Sequence, residues 1–264
     1  MDYLQALFLG ALQGVAEFLP ISSSGHLIVF RGLLGLGDVP VLFDVLLHLA
    51  TLVAVCIVFR ERLGGILASL GRWCTKRNKA GDAENLAIVP PAIVATALTG
   101  VIGYFVNKVE LEGSPKIVAL LLGLTALILI ASSFLKGRKG YKELSPLDGV
   151  LPGIAQGIGV FPGISRSGAT ISGCAATGMA RKEAGEFAFL ISIPAILGAL
   201  ALKLPEAGEL GQTVSLGPLA LACAVSLVVG IVSLKLLMKV VTAGKLKWFA
   251  LYLLPAAALG FFFL

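Results

Sequence analysis

Long apolar runs dominate the chain and alternate with short polar stretches. Six runs are long enough to cross a bilayer, at roughly 42–59, 86–106, 116–135, 184–204, 216–238 and 247–264. Each has about the 20 residues that a transmembrane helix needs. Two further apolar regions, roughly 4–36 and 147–181, are interrupted midway. The interruptions are Pro20-Ile21-Ser22-Ser23-Ser24-Gly25 and Pro162-Gly163-Ile164-Ser165-Arg166-Ser167-Gly168. Each half of these regions is too short to span, so the pattern predicts two re-entrant hairpins of paired half-helices. The expected fold is an all-α integral membrane protein: a single membrane domain over 1–264, with six transmembrane helices plus two re-entrant helix hairpins.

Composition agrees. Of the 264 residues, 57% are hydrophobic and 14% charged, with a mean hydropathy of +0.96. A soluble domain carries about 25% charged residues. The net charge of +6 does not point to nucleic acid, because the positive charges gather in short loops as membrane topology requires. Arg60, Arg62, Arg72, Lys76, Arg77 and Lys79 follow the first span, and Lys136, Arg138, Lys139 and Lys142 follow the third. Arg181 and Lys182 precede the fourth span; Lys239, Lys245 and Lys247 precede the sixth. The alternate loops hold Lys108, Lys116 and Lys203, diluted by Glu110, Glu112, Glu206 and Glu209. The first set is expected to be cytoplasmic and both termini to face outward. No cleavable leader is expected, since Asp2 stands where a basic segment would be. The four scattered cysteines suggest neither a disulfide framework nor a zinc site.

The two hairpins repeat each other. Gly10, Gln13 and Gly14 match Gly153, Gln156 and Gly157; Phe18 matches Phe161; Ile21, Ser22, Ser24 and Gly25 match Ile164, Ser165, Ser167 and Gly168. Repeat 1 covers about 1–140 and repeat 2 about 141–264. Each has one hairpin and three spans. Three is odd, so the second repeat is expected to be inverted, with the two tips meeting near the midplane, an architecture common among transporters.

Irregular backbone at membrane depth survives only where protein or a cavity satisfies it. Each tip starts a new half-helix, whose unpaired N–H groups and positive dipole end attract anions. Arg166 adds a charge with a fork suited to phosphate. Helix capping by Ser22, Ser23, Ser165 and Ser167 accounts for the serines but not for an arginine in a re-entrant tip. Gln13 and Glu17 share one helix face, and His26 lies just past the tip. A carboxylate, an imidazole and three hydroxyls so close in sequence can do acid–base chemistry on a phosphate or bind a divalent cation. The simpler alternative is a Glu17–Arg166 ion pair that only ties the hairpins together. Position 17 matches Val160 and position 23 matches Arg166, so the tips have diverged, one holding acid and base and the other the cation. Asp44 and His48 form another i,i+4 pair, expected to bond each other or support the first hairpin, with a direct catalytic role as the lesser alternative. Glu183 and Glu186 are expected in a solvated interfacial cluster, and Gly100-x-x-Gly103 at a close helix contact.

At these residues a family resemblance becomes specific. Gln13-Gly14-Val15-Ala16-Glu17-Phe18-Leu19-Pro20-Ile21-Ser22-Ser23-Ser24-Gly25-His26 resembles the (E/Q)-x-x-x-E-F-L-P-x-S-S-[ST]-G-H motif of undecaprenyl-diphosphatases, the bacitracin-resistance family. Pro162 to Thr170 is similar to that family's P-G-x-S-R-S-x-x-T motif. The resemblance covers nearly the whole chain. Gln13 takes the amide option of the motif, and His48 stands where a neutral polar residue is expected.

The resemblance implies hydrolysis of undecaprenyl diphosphate to undecaprenyl phosphate and inorganic phosphate in the bacterial inner membrane, with a divalent cation, Mg2+ or Ca2+. It implies a lipid diphosphate substrate among membrane lipids, no nucleic acid, and leaves a homodimer open. Glu17 would bind the metal or act as general base, helped by Gln13. Ser23 is the candidate nucleophile, with His26 as proton donor or acceptor, and Arg166 would stabilise charge on the phosphoryl oxygens. Ser22, Ser24, Gly25, Gly163, Ser165 and Ser167 would line the substrate site, and Thr170 would support the second tip. Two alternatives stay open. In one, an activated water attacks and Ser23 only positions the phosphate. In the other, the protein is an inverted-repeat transporter or flippase for a lipid phosphate.

Overall fold

The computed structural model describes residues 1–33, 41–106, 108–109, 114–203 and 215–263. Glu110, Glu112, Glu206 and Glu209 lie outside the described residues. Among the described residues the chain is helical, with no strand beyond an isolated bridge between Lys139 and Met179.

The first interrupted region folds as α1 (Tyr3–Ala16) and α2 (Ser23–Leu33), and the second as α8 (Val150–Ile158) and α9 (Arg166–Ala176). All four are short, as proline, glycine and serine interrupt the apolar pattern between them. The longer apolar runs form α3 (Val41–Val58), α6 (Val89–Val106), α7 (Pro115–Ser133), α10 (Arg181–Lys203), α11 (Leu216–Thr242) and α12 (Ala250–Phe263). Four helical stretches among the described residues are long and apolar enough to cross a membrane, or five if the bent pair of α3 and its successor counts as one. The final run is shorter than expected, because a 3₁₀ turn at Leu246–Phe249 precedes α12.

The segment after α3 is not a simple loop. The chain bends by 76° into α4 (Arg60–Cys74), and α5 (Asp82–Ala87) follows. Asp82 accepts hydrogen bonds from Arg72, from the Lys79 N–H at 2.8 Å and from Ser69 Oγ at 2.9 Å. Glu186 departs from its expected place in a solvated cluster: it is buried and accepts from Arg62 Nε at 2.7 Å. Arg62 also reaches Glu84 at 3.1 Å and covers the Tyr141 ring, so a guanidinium with partners on three sides draws the acid inward.

The helices of the two hairpins pack on distant partners. α1 lies along α11, and α8 lies along α6. The sequence permits this through glycines. A Cβ on Gly10 would stand 2.4 Å from the Ala222 carbonyl oxygen, and one on Gly14 would stand 2.8 Å from that of Ser226. In the second hairpin, a Cβ on Gly153 would meet the Ala95 carbonyl at 2.7 Å, and one on Gly157 the Ile102 Cβ at 2.6 Å. The expected close contact at Gly100 and Gly103 is absent. Gly100 has open space beside it, and Gly103 makes only ordinary contact with Val160. Gly10→Ala should therefore cost about 1–3 kcal/mol by overpacking and lower the thermal midpoint in detergent. Gly100→Ala should leave it unchanged or slightly higher; equal midpoints for the two variants would refute the packing assignment.

The largest core cluster gathers Phe18, Leu129, Ile171, Phe187, Ile191 and Leu234. It therefore supports both hairpins at once. Large apolar side chains also face outward in stripes: Ile117, Leu120, Leu124 and Leu127 on α7, and Val228, Val232 and Leu236 on α11. Such stripes suit lipid rather than water.

Candidate active site

Glu17 closes α1, and its side chain is only 5% exposed. A buried carboxylate must be paired to be tolerated. Its Oε1 accepts from the Arg166 guanidinium, which comes from the other hairpin. Its Oε2 accepts from Ser23 Oγ at 3.1 Å and from Gln13 Nε2 at 3.2 Å, and lies 3.3 Å from His48 Nδ1. Gln13 Nε2 is also 3.2 Å from His48 Nδ1. Four elements thus meet at one carboxylate: α1, the start of α2, α3 and the start of α9.

The tips touch directly. Ser22 holds a left-handed backbone, with φ of 69°, which is uncommon for a residue with a side chain. In that conformation its Oγ accepts from the Gly163 N–H at 3.1 Å, across from one tip to the other. Gly163 has φ of 94°, and a Cβ there would stand 2.4 Å from the Val118 carbonyl oxygen, so both conformation and space require glycine. Thr125 of α7 braces the second tip: its Oγ1 donates to the Gly163 carbonyl and accepts from the Ser165 N–H, each at 3.1 Å. Ser165 caps α9 by accepting from the Gly168 N–H at 3.2 Å and lies 3.2 Å from Ser167 Oγ. Thr170 donates to the Arg166 carbonyl at 2.7 Å. Ser24 is exposed, while Gly25 is buried.

His26 lies apart from this cluster. Its Nδ1 is 2.8 Å from the Ser22 carbonyl oxygen, which can only accept. Nδ1 therefore carries the hydrogen, and a neutral ring leaves Nε2 as the acceptor. Nε2 faces the Tyr252 hydroxyl of α12 at 2.5 Å. Ser23 hydrogen-bonds to Glu17 and not to the imidazole. The histidine on Glu17 is instead His48, for which the sequence favours a supporting place over a direct catalytic role. Tyr252 and Thr125 were not anticipated: one polar tip in an apolar run carries no signal until its distant partner is known.

A cavity of about 20 Å³ lies beside the cluster, lined in part by Glu17, Arg166, Ser167, Thr170, Gln156 and Ser192. It has room for about one water. With a carboxylate on a hydroxyl, an arginine and a capped helix N-terminus, the arrangement can deprotonate a nucleophile and stabilise charge on a phosphoryl oxygen.

The amino-acid sequence matches the family described as bacitracin resistance protein BacA over residues 6–259. It is 46% identical to an undecaprenyl-diphosphatase of Treponema denticola over 97% of this chain and 95% of that protein. A Carboxydothermus hydrogenoformans protein of the same name is 37% identical, over 96% and 94% of the two chains. One from Borreliella burgdorferi is 34% identical, over 99% and 98%. The match thus runs through both hairpins, all the apolar helices and every residue gathered on Glu17, and the chain belongs to the BacA bacitracin resistance family.

Proposed function

We propose that this chain hydrolyses undecaprenyl diphosphate to undecaprenyl phosphate and inorganic phosphate. It thereby recycles the lipid carrier of cell-wall synthesis and confers bacitracin resistance. The observation that carries the chemistry is the buried carboxylate shared by Ser23 from one tip and Arg166 from the other. A lipid substrate accounts for a phosphate site at membrane depth.

In this reading Glu17 takes the Ser23 proton as Ser23 Oγ attacks the terminal phosphorus. The anhydride P–O bond breaks, and undecaprenyl phosphate leaves with the bonding pair. Arg166 and the N–H groups around Ser165 and Ser167 stabilise charge on the phosphoryl oxygens. Water then hydrolyses the phosphoserine, with His26 and its Tyr252 partner moving protons at Nε2. That His26 makes no bond to Ser23 favours a second version, in which Glu17 activates a water and Ser23 only positions the phosphate.

The reading includes a divalent cation, Mg2+ or Ca2+. No three His, Cys, Asp or Glu side chains meet among the described residues, so the donor set must be mixed. Glu17 Oε2, with the buried and unpartnered Oε1 of Gln13, fits such a role. When bound, the cation would neutralise phosphate charge. Purified protein should release phosphate from a prenyl diphosphate, cease on chelation and recover with Mg2+ or Ca2+. Absence of release under every condition, alongside movement of an unhydrolysable analogue across proteoliposomes, would favour the transport reading instead.

The reading also includes an inverted repeat with six spans in the bacterial inner membrane. The exchanged packing supports it: α1 on α11 mirrors α8 on α6, and Gly10 on Ala222 mirrors Gly153 on Ala95. Leu246–Phe262 lies at the short end of spanning length, about 17–25 residues. Cysteines placed at Lys76 and Lys139, in a cysteine-free background, should resist an impermeant reagent in intact cells. Cysteines at Lys108 and Lys203 should react. Labelling at position 76 would overturn the orientation.

A further inference from the structure

Gln156 of α8 is fully buried, and its amide is held in one orientation. Thr99 Oγ1 gives its hydrogen to the Gly153 carbonyl at 3.1 Å, so toward Gln156 it can only accept. The Gln156 NH₂ group therefore faces Thr99 Oγ1, at 3.1 Å, and the Ile191 carbonyl, at 3.4 Å. Two acceptors at one end of the amide fix the other end as the carbonyl oxygen. That oxygen, Oε1, is buried and has no partner among the described residues. A buried acceptor left in this way calls for a donor.

Gln156 also lines the cavity beside Glu17 and Arg166. Three hydroxyls on the same wall have already placed their hydrogens on backbone carbonyls. Thr51 donates to His48 at 2.9 Å, Thr170 to Arg166 at 2.7 Å and Ser192 to Phe189 at 2.7 Å. Ser167 Oγ meets Ser165 Oγ at 3.2 Å. The wall therefore offers mainly lone pairs, with the Arg166 guanidinium as the cation among them. The volume of about 20 Å³ suits one water, which needs two or more polar partners. A water in such surroundings donates both hydrogens to the wall. Its oxygen gains electron density by donating them and keeps its lone pairs for the phosphoryl group that Arg166 holds in the reading above.

We propose that Gln156 Oε1 binds and orients the water that attacks phosphorus. The proposal rests on the hydrolytic reading above and adds the group that holds its second reactant. With Ser23 as nucleophile, the water oxygen bonds to the phosphorus carried on Ser23 as the P–Oγ bond breaks. Oγ leaves with the bonding pair and recovers from Glu17 the proton given up in the first step. The proton that the water sheds follows His26 and Tyr252. Gln156 Oε1 accepts the hydrogen that the water keeps, which limits the water to one approach. If water attacks the diphosphate directly, Gln156 has the same part, Glu17 takes the proton, and undecaprenyl phosphate leaves with the bonding pair.

The test lets methanol compete with water. Full-length protein in detergent turns over undecaprenyl diphosphate in aqueous methanol, and the ratio of methyl phosphate to inorganic phosphate is measured. Gln156→Met keeps the bulk of the side chain and removes the acceptor. It should slow hydrolysis by about 10²-fold and shift the products several-fold toward methyl phosphate. Thr99→Val breaks the same amide tie but leaves Oε1 in place, and should keep the parental ratio. Ser192→Val fills the cavity from α10 without touching the Gln156 ties, and should shift the ratio as Gln156→Met does. The thermal midpoint of each variant checks its fold. A parental ratio in Gln156→Met, or in Ser192→Val where the first variant does not fold, would overturn the proposal, as would an equal shift in Thr99→Val. Either result would leave Gln156 as a packing tie and the hydrolytic reading standing. Absence of phosphate release by the parent protein would overturn both together.

Discussion

Arg166→Lys is expected to fold like the parent protein and to lose activity by about 10²–10³-fold, the scale of removing a positioned donor from charge developing in a transition state. Lysine keeps a positive charge for Glu17, so the buried carboxylate is still paired and the hairpins still meet. What is lost is the planar fork, which holds Glu17 through one nitrogen and leaves other N–H groups for a phosphoryl oxygen. An ammonium on a flexible stem cannot do both with fixed geometry. The measurement is steady-state phosphate release, with the thermal midpoint confirming the fold. Near-parental turnover in the lysine variant would remove Arg166 from the chemistry and reduce it to a tie between the tips.

The second large effect belongs to Ser23. Ser23→Ala removes the hydroxyl that donates to Glu17 Oε2 at 3.1 Å, and leaves Arg166 and the α9 N-terminus in place. If Ser23 is the nucleophile, hydrolysis should fall by more than about 10⁴-fold, as when a covalent catalyst loses its attacking group. Substrate binding should persist. A rapid quench of the parent protein should trap phosphate on Ser23. Turnover within about 10-fold of the parent would instead assign the attack to a water held by Glu17, with Ser23 as a positioning group.

The hairpins were legible because proline, glycine and serine interrupt otherwise apolar runs, and such interruptions at membrane depth have few structural solutions. Glu17, Ser23 and Arg166 could be grouped because two matched tips had to face each other. Three features stayed hidden for a common reason. The i,i+3 spacing of Ser23 and His26 places them on one helix face, but Tyr252, 226 residues away, decides where the imidazole turns. Glu186 has charged sequence neighbours that suggest solvent, while its partner Arg62 is 124 residues distant. Gly10-x-x-x-Gly14 and Gly100-x-x-Gly103 are both small-residue patterns, and only the presence or absence of a facing backbone separates them. In each case sequence supplied the chemical capacity of a residue, and a remote chain segment supplied its use. The final span illustrates another limit: hydropathy located the apolar run at 247–264 but could not show that its first turn is 3₁₀.

The exchanged seating of the hairpins sets an order of events during synthesis. α1 presents Gly10 and Gly14 to a helix that begins at Leu216, more than two hundred residues later. Until that helix emerges, the first hairpin lacks the backbone against which Gly10 and Gly14 pack, although Arg166, the partner of Glu17, is made about fifty residues earlier. The second hairpin faces no such delay, because α6 is already in the membrane when α8 arrives. Contacts this distant in sequence form slowly and leave early segments exposed while they wait. The first half of the chain must therefore persist in the bilayer with an unfinished hairpin, and α1 gains its seat only when nearly the whole chain has been made.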